Sequence, residues 1–437
     1  MHKILVISTL LVLHYSFGQK NSVSAYSQYG LGDVQWGVNG RSMAMGGMTL
    51  AQSNALFFNI DNPATLSVVE LTTFDLGLNN TIYSISNSQL SENIRNYSTN
   101  FSHIKFAVPV SKGQTLSFGF APYSFIGYDI RSLEVNQDPI PNVAYRFTGS
   151  GGFSQFYIGF GSRLFKGLSL GISARYLFGD KERLNLILPD LSNALNTRNK
   201  TNIRLDGLTY NAGITYSFKL SDKNELVIGG IFAPTVAIKS RYEDYKFSFS
   251  GGEFGNPIDT FGISKAESTT AIPMQWGGGI SFNRYSNYHV IPALSFGTEI
   301  RYIQGSELLL PVEGNTWQNS FRYAIGASAI PRFLIDGWER STNYFNRLEY
   351  RLGGFYETGL IALKDKNISQ IGITFGLALP LRIRGLAPGE VKYNHINIGT
   401  IVGRRGTTEN NLIQENFIRF FFGVTLNDKW FIKYKYR

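Results

Sequence analysis

The amino-acid sequence predicts an all-β fold, a transmembrane antiparallel β-barrel. Three observations predict this class. Beyond residue 71, apolar and polar residues alternate in many short stretches, which is the period of a strand whose two faces meet different surroundings. The 33 Phe and 24 Tyr raise the aromatic content to 14%, yet the mean hydropathy is only −0.08, as expected where lipid-facing and lumen-facing residues alternate. Tight turns also alternate with long polar stretches, which is typical of outer-membrane barrels.

The N-terminus has the pattern of a cleaved signal peptide over residues 1–18. An early lysine precedes a short apolar core at 4–13, and Ser16 and Gly18 stand at −3 and −1 of a cut before Gln19. About ten apolar residues are too few for a membrane-spanning helix, which needs about 20. No Cys follows that would carry a lipid anchor. We therefore expect export to the outer membrane of a Gram-negative-type bacterium.

Composition excludes several kinds of chemistry. The chain has no Cys, which excludes disulfides, thiolate metal sites and cysteine nucleophiles. Its net charge is +10 at pH 7, but the basic residues are scattered singly, which argues against nucleic acid as a partner. The excess positive charge is either spread over loops, strand ends and lumen, or it attracts phosphates of the outer leaflet or an acidic partner.

A stretch rich in small residues precedes the strands. Residues 39–64 read NGRSMAMGGMTLAQSNALFFNIDNPA, and glycine permits the close backbone approach that an internal plug requires. The sequence therefore predicts an N-terminal hatch over residues 19–71 that plugs the lumen. Helical turns are expected at 44–51 and 53–58, with Pro63 ending the second. Three aromatic residues of the hatch are expected to pack against the inner wall: Tyr26, Tyr29 and Trp36.

The remaining residues, 72–437, are expected to form the barrel. The alternating stretches that predict strands lie near residues 72–79, 101–110, 116–120, 156–160, 168–176, 210–218, 226–238, 278–282, 293–302, 321–329, 350–360, 371–379, 394–403, 417–426 and 430–436. With boundaries uncertain by a few residues, the pattern alone gives about 14 to 16 strands. Two long polar stretches, Gly179 to Thr201 and Arg241 to Pro273, are expected to be extracellular loops.

The glycine-rich stretch resembles the N-terminal signature of the FadL family. The resemblance rests on Gly40-Arg41-Ser42-Met43-Ala44-Met45-Gly46-Gly47, followed by Asn59 and by Asn62-Pro63-Ala64. It implies an outer-membrane barrel of fourteen strands whose N-terminal segment folds into the lumen as a hatch. Characterised members of the family carry long-chain fatty acids or other hydrophobic molecules across the outer membrane. The resemblance therefore implies passive uptake of such molecules.

In the uptake hypothesis, hatch residues line or gate an apolar path. Burial of apolar surface contributes about 25 cal/mol per Å², and Met adapts to ligands of variable shape. Arg41 is the candidate partner of a carboxylate head group. The candidate ligand and hatch residues are Arg41, Met43, Met45, Gly46, Gly47, Met48, Phe57, Phe58, Asn62 and Pro63. Each of them also fits the core of a plug.

Two features near the C-terminus add candidate contacts. Arg404 and Arg405 stand between glycines, and adjacent guanidinium groups bind carboxylate or phosphate. They are candidate contacts for an anion or for a lipid head group at a loop. Residues 430–436 are expected to form the closing strand. This strand resembles the signal read by the barrel-assembly machinery, although Arg437 stands last where an aromatic residue is usual.

We expect no enzyme activity, no cofactor and no metal site. The predicted mature chain keeps three histidines, His103, His289 and His395, at distant positions without metal-ligand spacing. The metalloprotease motif HExxH and the phosphate-binding motif GxxxxGK[ST] are absent. A Ser–His pair that assembles in space is the remaining enzymatic alternative.

A second function fits the same fold. Some FadL-like barrels are non-transporting accessory subunits of outer-membrane protein secretion or barrel-assembly complexes, and the long loops and positive charge favour this alternative. The expected partners in both cases are outer-membrane lipid, lipopolysaccharide and the barrel-assembly machinery during insertion. Uptake adds a hydrophobic ligand, whereas the accessory role adds stable protein partners.

Overall fold

The computed structural model describes most of the chain. The described residues are 23–37, 39–88, 93–136, 141–191, 194–253, 255–286, 291–308, 310, 317–334, 343–381 and 394–429. The predicted signal peptide, the predicted closing strand at 430–436 and His289 lie outside them.

The described residues form fourteen antiparallel strands that close into a barrel, which confirms the predicted fold class. In chain order the strands are β1 (Thr72–Asn87), β2 (Ile94–Ser111), β3 (Gln114–Glu134), β4 (Val143–Arg163), β5 (Leu168–Pro189), β6 (Asn196–Lys219), β7 (Asn224–Ala233 and Val236–Phe249), β8 (Pro257–Ile272 and Gln275–Tyr285), β9 (Pro292–Ile303), β10 (Ser320–Ala329), β11 (Glu349–Glu357), β12 (Gln370–Pro380), β13 (His395–Gly406) and β14 (Ile413–Asp428). Each strand pairs with its neighbour in the chain. The barrel closes through β14, which pairs with β1.

Alternation along the strands separates a lipid face from a lumen face. In β4, Phe156 and Ile158 are 54% and 53% exposed, whereas Gln155 and Tyr157, each of which precedes one of them, are 5% and 4% exposed. Successive residues of a strand point to opposite faces. The exposed apolar residues therefore form the band that faces lipid, and the buried set faces the lumen. Pro234 and Pro273 stand at the interruptions of β7 and β8, because proline cannot donate to the strand ladder.

The strands differ in length around the barrel. We call β3–β8 the tall wall, since its uninterrupted strands β3–β6 have 21 to 24 residues. We call β9–β13 the short wall, with strands of 9 to 12 residues. The short strand β9 pairs with the part of β8 next to the tight-turn end. Because tight turns mark the periplasmic end, the extra length of the tall wall stands on the extracellular side.

The two predicted extracellular loops are wrong. Most of the stretch from Gly179 to Thr201 belongs to β5 and β6, which pair as far as Ile187 and Thr197. Most of the stretch from Arg241 to Pro273 belongs to β7 and β8. Above the membrane a strand meets water on its outer face, so its sequence loses the apolar alternation that predicts strands.

The wall parts between β2 and β3. Toward the extracellular end, Ile104 and Phe120 form the last pair between these two strands. The chain itself covers the edge of β3 beyond that point, because Asp33–Val34 pairs with Ser124 and Phe125.

Short helices occur in the segment before the barrel and between strands. They are 3-10 helices at Ala25–Gln28, Pro63–Val68, Gly305–Glu307, Tyr344–Arg347 and Glu409–Asn411 and short α-helices at Gly40–Ala44 and Pro331–Leu334. Ala362–Leu363 and Lys366–Asn367 form a small hairpin. None of the helices in the described part of the chain is long and apolar enough to cross a membrane.

The helical turns predicted at 44–51 and 53–58 are wrong. The helices instead cover Gly40–Ala44 and Pro63–Val68, and an asparagine caps each of them. Proline begins the second helix, because its missing N–H is not needed in the first turn. The predicted role of Pro63 as a helix stop is therefore reversed.

The N-terminal segment, by which we mean residues 23–71, contacts strands on opposite sides of the barrel. The helix Gly40–Ala44 packs against β11–β14, and the helix Pro63–Val68 packs against β3–β6. Tyr26 and Trp36 pack with one apolar cluster of inward-facing residues, and Tyr29 lies against the same cluster. The hatch boundaries 19–71 stay a prediction.

Candidate functional site

The three methionines of the segment pack against the wall. Met43, Met45 and Met48 are each at most 4% exposed. They share one apolar cluster with side chains from β1, β10, β11, β13 and β14: Tyr83, Ile85, Ala324, Phe355, Ile401, Phe417 and Phe421. The side chains proposed to line a ligand path therefore already contact apolar side chains of the wall.

Gly46 and Gly47 form a turn that requires glycine. Their φ angles are +70° and +83°, and a residue with a side chain is strained at such positive φ angles. A Cβ on Gly46 would lie 2.5 Å from the carbonyl oxygen of Gly354. The N–H of Gly46 donates to Thr374 at 2.9 Å, and its carbonyl accepts from Arg322 at 2.9 Å. The turn is thus fixed to β10, β11 and β12.

Arg41 is paired with the wall. Its Nε lies 3.3 Å from Oε1 of Glu349, and its Nη2 donates to Oγ of Ser328 at 3.1 Å. Glu349 also accepts from Arg351 at 2.6 Å. Both guanidinium groups lie near the ring of Phe57, at 5.2 and 5.6 Å from its centroid. Arg41 thus already has a buried carboxylate partner, with which a ligand carboxylate would compete.

A chain of buried hydrogen bonds runs from Arg351 around the wall. Arg351 donates to Asn397 at 2.6 Å, and Asn397 donates to Thr425 at 3.1 Å. The hydroxyl of Thr425 donates to Asp75 at 2.9 Å. The chain thus connects β11, β13, β14 and β1.

From Asp75 the same chain returns to the N-terminal segment. His103 and Lys105 of β2 each lie 3.2 Å from the Asp75 carboxylate. Lys105 also donates to the carbonyl of Phe58 at 3.2 Å and lies 4.8 Å from the centre of that ring. Phe58 is therefore held through both its backbone and its ring.

Asp61 is the acidic centre of a second cluster. Arg301 and Arg175 lie 3.3 and 3.8 Å from its carboxylate, and the hydroxyl of Thr49 donates to it at 3.1 Å. Burial raises the pKa of Asp61, but the two guanidinium groups and the hydroxyl outweigh burial, so the pKa lies below its usual value. Asp61 is therefore charged at neutral pH.

Asn62 and Pro63 fix the end of the segment. The side chain of Asn62 accepts from the N–H of Ala64 at 3.1 Å and donates to the carbonyl of Leu50 at 2.5 Å. A Cβ on Gly161 would lie 2.4 Å from the carbonyl oxygen of Pro63. The segment and the wall are thus close enough here that a small residue is needed on β4.

Arg404 and Arg405 do not act together, because they lie on strand β13 and point to opposite faces. Arg405 faces inward, 3.1 Å from Asp33 and 5.5 Å from the ring centre of Tyr26. Arg404 is exposed on the outer face. The predicted loop clamp is therefore wrong in geometry, and a head-group contact by Arg404 alone stays a prediction.

One Ser–His pair is in contact within the described residues: Oγ of Ser102 lies 3.0 Å from Nδ1 of His103. Ser102 and His103 are only 4% and 2% exposed, so neither is open to a substrate. His103 is paired with Asp75, and His395 packs against Phe57 with ring centres 4.6 Å apart. Gly167 to Gly171 reads GLSLG, which matches the serine-hydrolase pattern GxSxG. It lies at the start of a barrel strand, however, and not on the strand-to-helix turn that exposes a nucleophile. In the part of the chain that the structure describes, no group of three acidic or histidine side chains could hold a metal.

Three cavities between the segment and the wall are small. One, lined in part by Asp61, Arg175 and Arg301, has a volume of about 40 Å³. Two others, beside Trp36 and beside Phe57, have volumes of about 10 Å³ each. Binding sites for drug-sized ligands have volumes of about 300–1,000 Å³. None of these three cavities is large enough for a fatty acid. Two larger cavities, of about 380 and 540 Å³, are lined by residues of the tall wall.

Sequence reasoning missed the charged wall residues that hold the segment. The most important are Lys105, Arg175, Glu299, Arg301, Arg322, Glu349 and Arg351. A signal was present, since each is a charge within an otherwise strand-like stretch, as Lys105 is between Ile104 and Phe106. In a barrel such a charge must face the lumen, because charge on the lipid face is costly.

Comparisons with known proteins agree with this architecture. A family model described as BamG matches residues 1–437, and comparison with curated proteins gave no match. Among solved structures, the TodX deltaS2S3 mutant monoaromatic hydrocarbon channel has a TM-score of 0.56 at 14% identity, covering 89% of this chain and 99% of that one. The Pseudomonas putida toluene transporter TodX gives 0.53 at 14% identity, with 91% and 99% covered. A Pseudomonas aeruginosa FadL homologue gives 0.51 at 11% identity, with 90% and 98% covered. These likenesses confirm the FadL-like outer-membrane barrel fold.

Proposed function

This chain belongs to the BamG family, and from that premise we propose that it is a non-transporting accessory barrel. In this role it is a subunit of an outer-membrane protein secretion or barrel-assembly complex, and its lumen stays closed while its surfaces hold partners. The family name is consistent with a barrel-assembly complex.

The observation that carries this proposal is the way the N-terminal segment is held. Buried charges from the wall bind its backbone and side chains on opposite sides, through Lys105 on β2, Arg322 on β10 and Glu349 on β11. Breaking one buried ion pair by removing a partner costs about 3–5 kcal/mol. Opening a path for a ligand would disturb several of these contacts at once.

The parting of the wall between β2 and β3 supports the same proposal. Beyond Ile104 and Phe120, β2 no longer pairs with β3. Without another partner, this edge of β3 would offer a hydrophobic molecule a lateral exit from the lumen. Asp33–Val34 occupies that edge through strand pairing, and Asp33 is in turn paired with Arg405 at 3.1 Å. The N-terminal segment thus also closes the gap in the wall between β2 and β3.

Passive uptake of long-chain fatty acids or other hydrophobic molecules is the second candidate function. It is favoured by the shared fold with the toluene transporter TodX. Under this hypothesis the N-terminal segment must move, and the residues Met43, Met45 and Met48 would then line the path.

The first experiment measures the native mass of the tagged protein, extracted from its own membrane in mild detergent. The accessory role predicts a stable assembly several times heavier than the chain, with defined protein partners in constant ratio. A monomer that carries bound lipid or fatty acid would overturn it in favour of uptake.

A reversible lock between segment and wall separates the two functions. A Cβ on Gly279 of β8 would lie 3.4 Å from Cβ of Leu50, close to the separation of about 3.5–4.5 Å in disulfides. Because the chain has no Cys, the double variant Leu50→Cys/Gly279→Cys contains one possible disulfide. The accessory role predicts that the oxidised variant keeps its assembly and that oleate uptake by the cells does not change.

The uptake role predicts the opposite for this lock. Oleate uptake would fall on oxidation and return on reduction. The two single-cysteine variants serve as controls, since they carry the same packing changes without the bond.

A further inference from the structure

The extracellular half of β8, Pro257–Ile272, is more exposed than its neighbours in the tall wall. Every residue from 257 to 269 except Gly262 is exposed, so both faces of the strand meet solvent. The paired half of β7 keeps buried residues at alternate positions from Ile238 to Asp244. This half-strand thus lacks a covering on two faces and on one edge.

Within the part of the chain that the structure describes, one edge of this half-strand is paired and the other is not. Its partner is β7, from Ile272 opposite Val236 to Pro257 opposite Phe249. On the other side, β9 pairs with β8 only up to Gln275 opposite Ile303. After Ile303 the chain turns inward, since Leu308 and Trp317 belong to the interior apolar cluster. Within the described residues, Pro257–Ile272 is in register with β7 alone, and Asp33–Val34 is in register with β3, so the second edge has no strand partner.

The side chains along the open edge form a defined pattern on the outer face. Glu267 pairs with Arg241 of β7 at 3.5 Å, and Lys265 pairs with Glu243 at 3.6 Å. Ile263 follows toward the extracellular end and is 64% exposed. Outward from the membrane, the edge therefore presents an acid, a base and an apolar residue at alternate positions.

On the extracellular side of Ile263, the half-strand has features that prevent unspecific pairing with other strands. Register shifts occur between Pro257 and Asp259 and between Thr260 and Gly262, and bulges and proline protect strand edges from aggregation. From Ile263 to Ile272 the register is regular. The regular part is the part that can accept another strand.

We propose that this edge receives one extended strand from a different protein, by antiparallel addition to the tall wall. Read away from the membrane, the partner strand carries a basic residue opposite Glu267, an acidic residue opposite Lys265 and an apolar residue opposite Ile263. Backbone hydrogen bonds supply binding, and this basic-x-acidic-x-apolar pattern supplies specificity.

A second copy of the chain does not fit this edge. β8 runs from the extracellular end toward the membrane, and two copies in one membrane would present this strand in the same direction. Their pairing would be parallel, which is slightly less stable per residue. It would also place like charges side by side. The antiparallel partner strand must run outward, as a strand leading to an extracellular loop of another protein does.

This inference rests on the proposed accessory function, because it names the surface that a partner uses. The two can fail separately. A stable assembly that survives disruption of this edge would keep the accessory role and overturn the inference.

Site-specific photo-crosslinking tests the contact in the intact protein in its own membrane. A benzophenone amino acid is placed at Ser264, Ala266 and Ser268, with Arg204 as the control because it is exposed on β6 between two paired strands. We expect all three edge positions to crosslink to one extended segment of one partner. The site at 268 should map nearest the membrane and the site at 264 four residues further outward along that segment.

Other crosslinking results would overturn the inference. These are crosslinks to lipopolysaccharide alone, to a second copy of the chain, to the same partner with equal yield from Arg204, or none at all. Binding of a partner without the antiparallel order of sites would count equally against it.

A charge-exchange variant tests the pattern itself. The combined change Arg241→Glu, Glu243→Lys, Lys265→Glu and Glu267→Arg keeps both pairs within the sheet but inverts the charges offered at the edge. We expect crosslinking at Ala266 to fall at least tenfold. Folding is checked by the heat-dependent gel mobility of the barrel, which should not change. Undiminished crosslinking in the folded variant would contradict the proposal.

Discussion

Two ion pairs of the same kind lie in opposite surroundings. Glu349 and Arg351 are 2.6 Å apart, and both side chains are at most 1% exposed. Glu243 and Lys265 are 3.6 Å apart and are 42% and 59% exposed. Loss of one partner from a buried pair costs about 3–5 kcal/mol, whereas an exposed pair contributes about 0–1 kcal/mol.

The difference teaches where this barrel uses charge for structure and where charge is available for binding. The buried pair contacts Arg41 of the N-terminal segment and therefore fixes one arrangement of segment and wall. The exposed pair adds little to the stability of the barrel, so its charges can meet a partner at small structural cost. The predictions below test this contrast from the largest effect to the smallest.

Removal of Arg351 should have the largest effect. In Arg351→Ala, the buried carboxylate of Glu349 keeps only Arg41 as an ion-pair partner, and the amide oxygen of Asn397 loses its donor. Loss of one partner from a buried ion pair costs about 3–5 kcal/mol. We expect the N-terminal segment to loosen, so that trypsin cleaves after Arg41 at least tenfold faster in the detergent-solubilised barrel.

The matched control is Arg404→Ala, since Arg404 is exposed on the outer face of β13. It should leave the cleavage rate unchanged. Equal rates for the two variants would show that the buried pair does not hold the segment.

Gly46→Ala should have the next largest effect. A methyl group must occupy a backbone conformation with φ of +70° and approach the carbonyl oxygen of Gly354 to 2.5 Å. Strain of about 1–2 kcal/mol and overpacking of about 1–3 kcal/mol together destabilise the docked segment. The measurement is the temperature at which the barrel loses its compact gel mobility.

Gly252→Ala is the matched control for this change, because a Cβ there meets nothing within 4 Å. It should shift the transition by less than one quarter of the Gly46→Ala shift. A Gly46→Ala barrel as stable as its parent would contradict the close packing of the turn.

The glycine turn also shows what the sequence could reveal. The small residues from Gly40 to Gly47 predicted close packing, and the strand alternation predicted a closed barrel, because both features are local in the chain. The position of the helices was not predictable from local pattern. Asn39 and Asn62 cap helices that are one or two turns long, and such short helices depend on the surrounding wall more than on their own propensity.

The partners of Arg41 could not be predicted for a different reason. Glu349 is more than 300 residues away in the chain, and it meets Arg41 only because β11 faces the lumen beside the helix Gly40–Ala44. The extracellular parts of β5–β8 were missed because water lies on their outer face. Apolar alternation marks only the part of a strand that separates lipid from lumen.

Protonation of Asp61 should have an intermediate effect. Arg301 and Arg175 outweigh burial and hold the pKa of the docked carboxyl below its usual value, which is about 3.9 for a free aspartate. The stabilisation is complete above about pH 4 and is lost as the pH falls through the lower, docked pKa. Hydrogen bonds to charged groups contribute about 1.5–3 kcal/mol. We expect pepsin to cleave the segment progressively faster from pH 4 to pH 2, beyond the pH dependence of the protease on an unfolded substrate.

The variant Asp61→Asn removes the titrating group and serves as the control. Its corrected cleavage rate should be higher at pH 4 and should rise less below pH 4 than the rate of the parent protein. If the parent protein and this variant show the same pH profile, Asp61 does not link pH to the docking of the segment.

The smallest effect on the barrel should come from the exposed pair. In Lys265→Ala the pair with Glu243 is lost, and because both side chains are largely solvated the barrel should lose less than about 1 kcal/mol. The gel transition should therefore stay within about one degree of the parent, while the yield of the Ala266 crosslink falls. That combination is expected if Lys265 helps to bind a partner, because its contacts within the chain are the Glu243 carboxylate at 3.6 Å and the ring of Tyr245 at 5.5 Å. If instead the barrel becomes less stable and the crosslink yield does not change, Lys265 is a structural charge, as Arg351 is.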